Sequence, residues 1–172
     1  MRKPFVIVIA GPTGVGKTTL SQLLSKHYKC ACISEDDVAR EAFPDMYTSL
    51  DDDPDKVRTV ESHLLTKAKG LFDGGECVVI DRITLGRESI AEMNKTFHNR
   101  VRLAVLWPSV GTAIERDRTR EGWTSGESAV KRFYRRYEEL RPIIGGNNYI
   151  DNSHQTPEET LERCVASIEG DG

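Results

Sequence analysis

Gly11-Pro12-Thr13-Gly14-Val15-Gly16-Lys17-Thr18 decides the fold of this chain. The eight residues fit G-x-x-x-x-G-K-[ST] at every fixed position, and the pattern takes its meaning from what flanks it. Upstream, residues 5–10 form a short, β-branched apolar run that predicts a strand buried on both faces. Downstream the period changes, and Leu20, Leu23, Leu24 and Tyr28 fall on one helical face. Strand, glycine-rich turn and helix in that order build an anion cradle. Backbone N–H groups converge on phosphate oxygens without Cβ obstruction, and the helix N-terminus adds partial positive charge. Gly11, Thr13, Gly14, Val15, Gly16, Lys17, Thr18 and Thr19 are therefore the expected nucleotide-binding residues. Lys17 is expected to bridge the β- and γ-phosphates of ATP, and the Thr18 hydroxyl to ligate Mg²⁺. The plainer reading, a tight turn with a surface lysine, does not explain the flanking strand and helix.

Working outward, further strands are expected near residues 30–34, 77–81, 101–107 and 149–151, with helical patterns between them. That alternation predicts an α/β fold, a parallel sheet of about five strands flanked by helices. Acidic residues crowd 51–55; beyond them Val57, Val60, Leu64, Ala68 and Leu71 mark a helix that stops at Gly74-Gly75. Two more helices are expected over residues 109–120 and 128–140. Thr156-Pro157-Glu158-Glu159 opens the last one with an N-cap, a first-turn proline and a reciprocal glutamate. At 172 residues the chain reads as a single domain, 1–172, carrying an arginine-bearing lid at about 116–127. No apolar run reaches the length of a membrane span or a secretory signal, so no membrane partner and a cytoplasmic location are expected. Cys30, Cys32, Cys77 and Cys164 have neither CxxC nor zinc-ligand spacing and read as reduced thiols. The net charge of −3 argues against a whole-surface polyanion binder, although Arg and Lys crowd 116–141.

A phosphate cradle serves switches, motors and kinases alike, so the remaining polar residues must discriminate. No DxxG occurs, and Asn94-Lys95-Thr96-Phe97 lacks the aspartate of a guanine-reading NKxD, which disfavours a GTP switch. Glu35-Asp36-Asp37 follows the second strand, with Arg40 one helical turn beyond. In a parallel sheet the strand C-termini share one crevice, so these groups should face the γ-phosphate. There Asp37 or Asp36 can accept the proton of an attacking hydroxyl, and Arg40 can hold the acceptor's phosphate or the acid itself. Acids at a helix N-terminus also suit its dipole, which alone would account for one or two of them. Asp81 ends an apolar strand in the Walker B manner and, with Thr18 and Asp36, is a candidate to hold the metal or to orient Arg40. Arg82 and Arg87 follow it as candidates for an anionic acceptor. Arg116 and Arg120, four apart on one helical face, suit a lid that neutralises charge on the transferring phosphoryl, against a plainer pairing with Glu115 and Glu121. Asn152 or Ser153, beside the last strand, is placed to read the adenine. Lys131, Arg132, Arg135 and Arg136 read as a basic surface, and His27, His63, His98 and His154 as bystanders.

Taken together, Asp37 with Arg40, the strand-ending Asp81, Arg116 with Arg120, and Val130-Lys131-Arg132-Phe133 give a chain that resembles P-loop polynucleotide 5′-kinases of phage and bacterial type. It is similar more broadly to the small-molecule kinases related to them. The resemblance runs over most of the chain. It implies Asp37 as general base, Arg40 on the scissile-side phosphate and Asp81 as their positioning group. The family's Asp-x-Thr-Asn reads Asp81-Arg82-Ile83-Thr84 here. Chloramphenicol-type, gluconate-type, nucleoside and adenylylsulfate kinases share the cradle and lid, and the Asp37, Arg40 pair favours a polynucleotide end. The expectation is an ATP- and Mg²⁺-dependent phosphotransferase acting on a hydroxyl, preferably a polynucleotide or nucleotide 5′-OH. The alternatives are a kinase of a nucleoside, sugar or antibiotic hydroxyl and, from another class, a non-catalytic nucleotide-binding regulatory module.

Overall fold

Every side chain of β1 (Val6–Ala10) is fully withdrawn from solvent, as a strand flanked on both edges and covered on both faces requires. The computed structural model describes residues 3–45 and 53–170, so Asp51 and Asp52 of the acidic stretch lie outside the described residues. Around β1 stand β2 (Ala31–Ser34), β3 (Val78–Asp81), β4 (Val101–Leu106) and β5 (Tyr149–Ile150), all parallel, in the order β2-β3-β1-β4-β5. The expected five-stranded parallel sheet is therefore present. Ile9 of β1 registers with Asp81, and Ser34 of β2 with the same Asp81, so the cradle, the Walker B acid and the acid cluster leave the sheet at one edge of the fold.

Among the described residues seven α-helices accompany the strands: α1 (Lys17–Tyr28), α2 (Glu35–Ala42), α3 (Pro54–Asp73), α4 (Arg87–Thr96), α5 (Val110–Arg118), α6 (Glu127–Ile144) and α7 (Pro157–Gly170). Because successive side chains of a strand point to opposite faces, the sheet divides the core in two. Val6, Val8, Val78 and Ile80 meet α2, α3, α4 and the later turns of α6 through Val38, Leu64, Met93 and Tyr137. Ile7, Ile9 and Val79 meet α1, α5 and α7 through Leu24, Ala113 and Cys164.

The helix signals act as their chemistry predicts. The Asp53 carboxylate accepts from the N–H groups of Asp55 and Lys56, and Thr156 and Glu159 form the reciprocal capping box. Gly75, at φ 87°, ends α3 while Glu76 N–H returns to the Leu71 carbonyl. Several boundaries differ from expectation, and three of the differences have a visible cause. α6 continues past Leu140 through Pro142, because Ile144 is buried in the core and only Gly145, at φ 90°, turns the chain away. β5 stops at Ile150 because the Asp151 carboxylate takes the N–H and hydroxyl of Ser153 and starts a turn. α5 stops at Arg118, two residues short of Arg120, as the chain turns through Gly122 at φ 88°.

Candidate functional site

The cradle is shaped by how tightly its backbone is packed. A Cβ on Gly14, which sits at φ 77°, would stand 2.4 Å from the Ala113 carbonyl oxygen, and one on Gly11 would stand 2.7 Å from that of Leu106. Only glycine lets the loop lie against α5 and β4 at once. Lys17 Nζ reaches across the loop and donates to the Pro12 carbonyl at 2.7 Å. Thr18 Oγ1 donates to Asp81 Oδ2 at 2.7 Å. Burial lowers the Lys17 ammonium pKa from its ordinary value, with Arg120 adding to the effect and Asp81, Asp36 and Glu35 opposing it. Burial likewise raises the Asp81 carboxyl, against the pull of Lys17 and the Thr18 hydroxyl.

These groups open onto a cleft of about 1260 Å³, more than one drug-sized ligand fills. The cradle residues 13–20 form its floor; Asp36, Ala39 and Arg40 of α2 border it, as do residues 81–84, Arg116, Arg120, Trp123, Arg132 and Asn152. A smaller hollow of about 220 Å³ beside the first half of β4 has no carboxylate in its lining.

The three consecutive acids have three different fates. Glu35 is 1% exposed; its carboxylate accepts from the N–H groups of Ile83 and Thr84 at 2.8 and 2.9 Å and from the Thr84 hydroxyl. It borders the cleft, but its carboxylate is committed to fastening the β3–α4 loop to α2. Asp36 borders the cleft. Asp37, the resemblance's base, does not: its side chain stays well exposed and pairs with the exposed Arg40 one turn on. Asp36 stands three and four positions before Ala39 and Arg40, the spacing that stacks side chains on one side of a helix, and all three border the cleft.

Arg82 and Arg87, both expected to meet an anionic acceptor, are placed differently from each other. Arg82 borders the cleft, yet its guanidinium is fully buried, 3.3 Å from Glu35 and 3.2 Å from Glu61, and donates to the Thr84 carbonyl. A buried guanidinium must be paired, and this one is spent on the interior. Arg87 begins α4 at the surface, outside the cleft lining.

Arg116 and Arg120 both border the cleft, but not from one helical face, because α5 ends between them. Arg116 donates to the Asn152 carbonyl at 2.9 Å. Between the arginines lies a residue that sequence reasoning passed over. Asp117, 2% exposed, accepts from the N–H groups of Ser125 and Gly126 at 3.0 and 2.9 Å, and Thr13 Oγ1 lies 2.9 Å from Ser125 Oγ. This clasp ties the start of α6 to the cradle. An acid set between Arg116 and Arg118 was its only sequence signal. Arg132, read as plain surface, also borders the cleft.

Asn152 and Ser153 are placed differently from the adenine-reading expectation. Asn152 is buried, and its amide donates to the Val15 carbonyl at 3.0 Å, bracing the cradle. The Ser153 hydroxyl is taken by Asp151 and the N–H of Ser109.

Among the described residues no cluster of three or more His, Cys, Asp or Glu side chains could enclose a metal ion. Mg²⁺ does not need one, since it is held by one or two protein oxygens, substrate phosphates and water. Thr18 Oγ1 and Asp81 Oδ2, two hard oxygens side by side at the cradle, fit that ion. The cradle itself, with Lys17 beside a helix N-terminus, fits a triphosphate. Among the described residues no helix is long and apolar enough to cross a membrane.

A family model, AAA_33, described as an AAA domain, matches residues 6–140. The tRNA dimethylallyltransferase of Flavobacterium psychrophilum is 32% identical over 93 residues, 54% of this chain, and the match spans only 28% of that enzyme's length. A solved sugar kinase from Janibacter sp. is similar with a TM-score of 0.77 at 19% identity, over 96% of this chain and 95% of that one. A chain of the Pnkp1/Rnl/Hen1 RNA repair complex is similar with a TM-score of 0.69 at 16% identity, over 84% of this chain and 47% of that one. At these identities the structural likeness is one of fold, a parallel sheet with a phosphate-binding loop that this chain shares with a solved sugar kinase.

Proposed function

This chain belongs to the AAA_33 family of AAA domains, and on that premise we propose that it is an ATP-dependent phosphotransferase. It moves the γ-phosphate to a hydroxyl, with a nucleotide or polynucleotide 5′-OH as preferred acceptor, and residues 1–172 act as one kinase domain with a lid. One observation carries the reading: Lys17, Thr18 and Asp81 share a single cleft with the carboxylate of Asp36 and the guanidinium of Arg40. A cradle alone suits a switch; a carboxylate in the same cleft suits transfer.

The loop N–H groups and Lys17 bind the β- and γ-phosphates, and Thr18 with Asp81 holds the metal. Mg²⁺, when bound, supplies charge neutralisation at the phosphate oxygens. Asp36 accepts the proton of the attacking hydroxyl as its oxygen bonds to the γ-phosphorus; the bond from that phosphorus to the β,γ-bridging oxygen breaks, and ADP leaves. Arg40 steadies an anionic group of the acceptor, while Arg116 and Arg120 face the charge spread over the moving phosphoryl.

A small-molecule alcohol is the second reading, favoured by the fold likeness to a sugar kinase over nearly all of both chains. Transfer of radiolabelled γ-phosphate onto 5′-OH DNA, 5′-OH RNA, nucleosides, sugars and amino-alcohol antibiotics tests both. A phosphorylated 5′-OH supports the first reading, and labelling of a sugar or antibiotic alone selects the second. Mg·ATP binding with no labelled product from any acceptor would overturn both in favour of a regulatory module.

A further inference from the structure

Among the described residues only two large hydrophobic side chains are exposed: Val110 at 40% and Trp123 at 65%. A single exposed apolar residue needs no explanation by itself. Trp123 differs in where it stands. It sits in the lid segment between α5 and α6, flanked by Gly122 at φ 88° and Gly126 at φ 85°, and it borders the same cleft as Asp36, Arg40 and Arg132. The Asp117 clasp fixes the C-terminal end of this segment through Ser125 and Gly126, so the indole is carried by a short loop with a pinned base. Beyond the loop, α6 runs along the β3–α4 side of the cleft. Arg136 donates to the Leu85 carbonyl at 3.0 Å and Tyr137 to that of Ile83 at 2.8 Å. Arg132, one turn earlier, borders the cleft with Phe133. The β5–α7 side, where Arg116 meets the Asn152 carbonyl, lies across the cradle.

From this arrangement we infer that Trp123 is a stacking platform for a nucleobase of the acceptor, with Arg132 set for the phosphate that follows the base. This rests on the kinase reading above and names its substrate class: a base-bearing 5′-OH rather than a sugar or polyol. An indole offers a large π-face at little conformational cost, and stacking tolerates any base. An arginine bordering the same cleft answers the charge of a nucleotide.

The test compares the full-length protein with Trp123→Ala and Trp123→Phe on two acceptors, a 5′-OH oligonucleotide and the same oligonucleotide with an abasic 5′-terminal residue. Trp123→Ala is expected to lower kcat/KM for the base-bearing acceptor about 10- to 100-fold, to leave the KM for ATP within about twofold, and to change little for the abasic acceptor. Trp123→Phe should keep most of the activity. Equal losses on both acceptors, or a loss confined to the KM for ATP, would overturn the assignment. The second readout needs no turnover. Trp107 and Trp123 are the only tryptophans, so the fluorescence difference between the parent and Trp123→Phe isolates Trp123. Quenching of that difference by the 5′-OH oligonucleotide without ATP supports the platform, even if no transfer is seen and the kinase reading itself falls. Quenching by ATP alone, or by neither, removes it.

Discussion

The two ends of the cleft are built on opposite plans. At the phosphate end, side chains brace the backbone: Asn152 holds the Val15 carbonyl, Asp117 ties the start of α6 beside Thr13, and Thr18 is bonded to Asp81. At the end proposed for the acceptor, Arg40 borders the cleft and pairs with the exposed Asp37 outside its lining, and Trp123 stands in solvent. Exposed ion pairs of that kind contribute little to stability. On the proposed reading, the contrast gives fixed geometry to the group that every turnover would share and leaves the choice of acceptor to replaceable surface residues.

Six substitutions break or sharpen that contrast. The largest effect is expected at Lys17→Ala, which should lower kcat/KM about a thousandfold or more and weaken Mg·ATP binding by calorimetry. Asp36→Asn should reduce transfer about 10²- to 10³-fold while ATP binding stays within about twofold, and Asp37→Asn should cost no more than a few-fold. If the two aspartates exchange these outcomes, the acceptor wall is turned relative to this description. Asp117→Ala leaves two backbone N–H groups without their acceptor and should cost about 2 kcal/mol, a fall in Tm of about 4–8 °C by calorimetry. Arg40→Ala should raise the acceptor KM about tenfold with little change in the KM for ATP. Arg87→Ala, outside the cleft lining, should leave both constants within about twofold, and a larger effect would restore it to the acceptor site.

The phosphate end was legible in the sequence because its determinants are local. Eight consecutive residues specify the cradle, and the β-branched run before them and the heptad-like leucines after them specify the elements that hold it. The acceptor end was legible only in outline. Glu35, Asp36 and Asp37 are chemically alike, and what separates them is the direction in which α2 presents each one. Arg82 looked like a free guanidinium because its partner Glu61 lies 21 positions upstream, on a helix whose placement no local pattern reveals. Asn152 was read for the adenine and not as a brace for the same reason, since its amide acts on backbone 137 positions away; Asp117 reaches only to Ser125 and Gly126, across a turn between two helices. Tertiary hydrogen bonds to main-chain groups leave no periodic trace.

The sheet order has a consequence for how this chain is made. The first strand in sequence is the central one, and its two neighbours are β3 at residues 78–81 and β4 at residues 101–106. While the chain emerges from a ribosome, the apolar run at its start therefore waits for some hundred residues before both edges are covered, a long interval for a sticky strand at synthesis rates of about 5–20 residues per second. Non-local pairing of this kind is slow to close, and the glycine loop behind that strand can acquire its anion-binding shape only when β4 arrives to pack against Gly11.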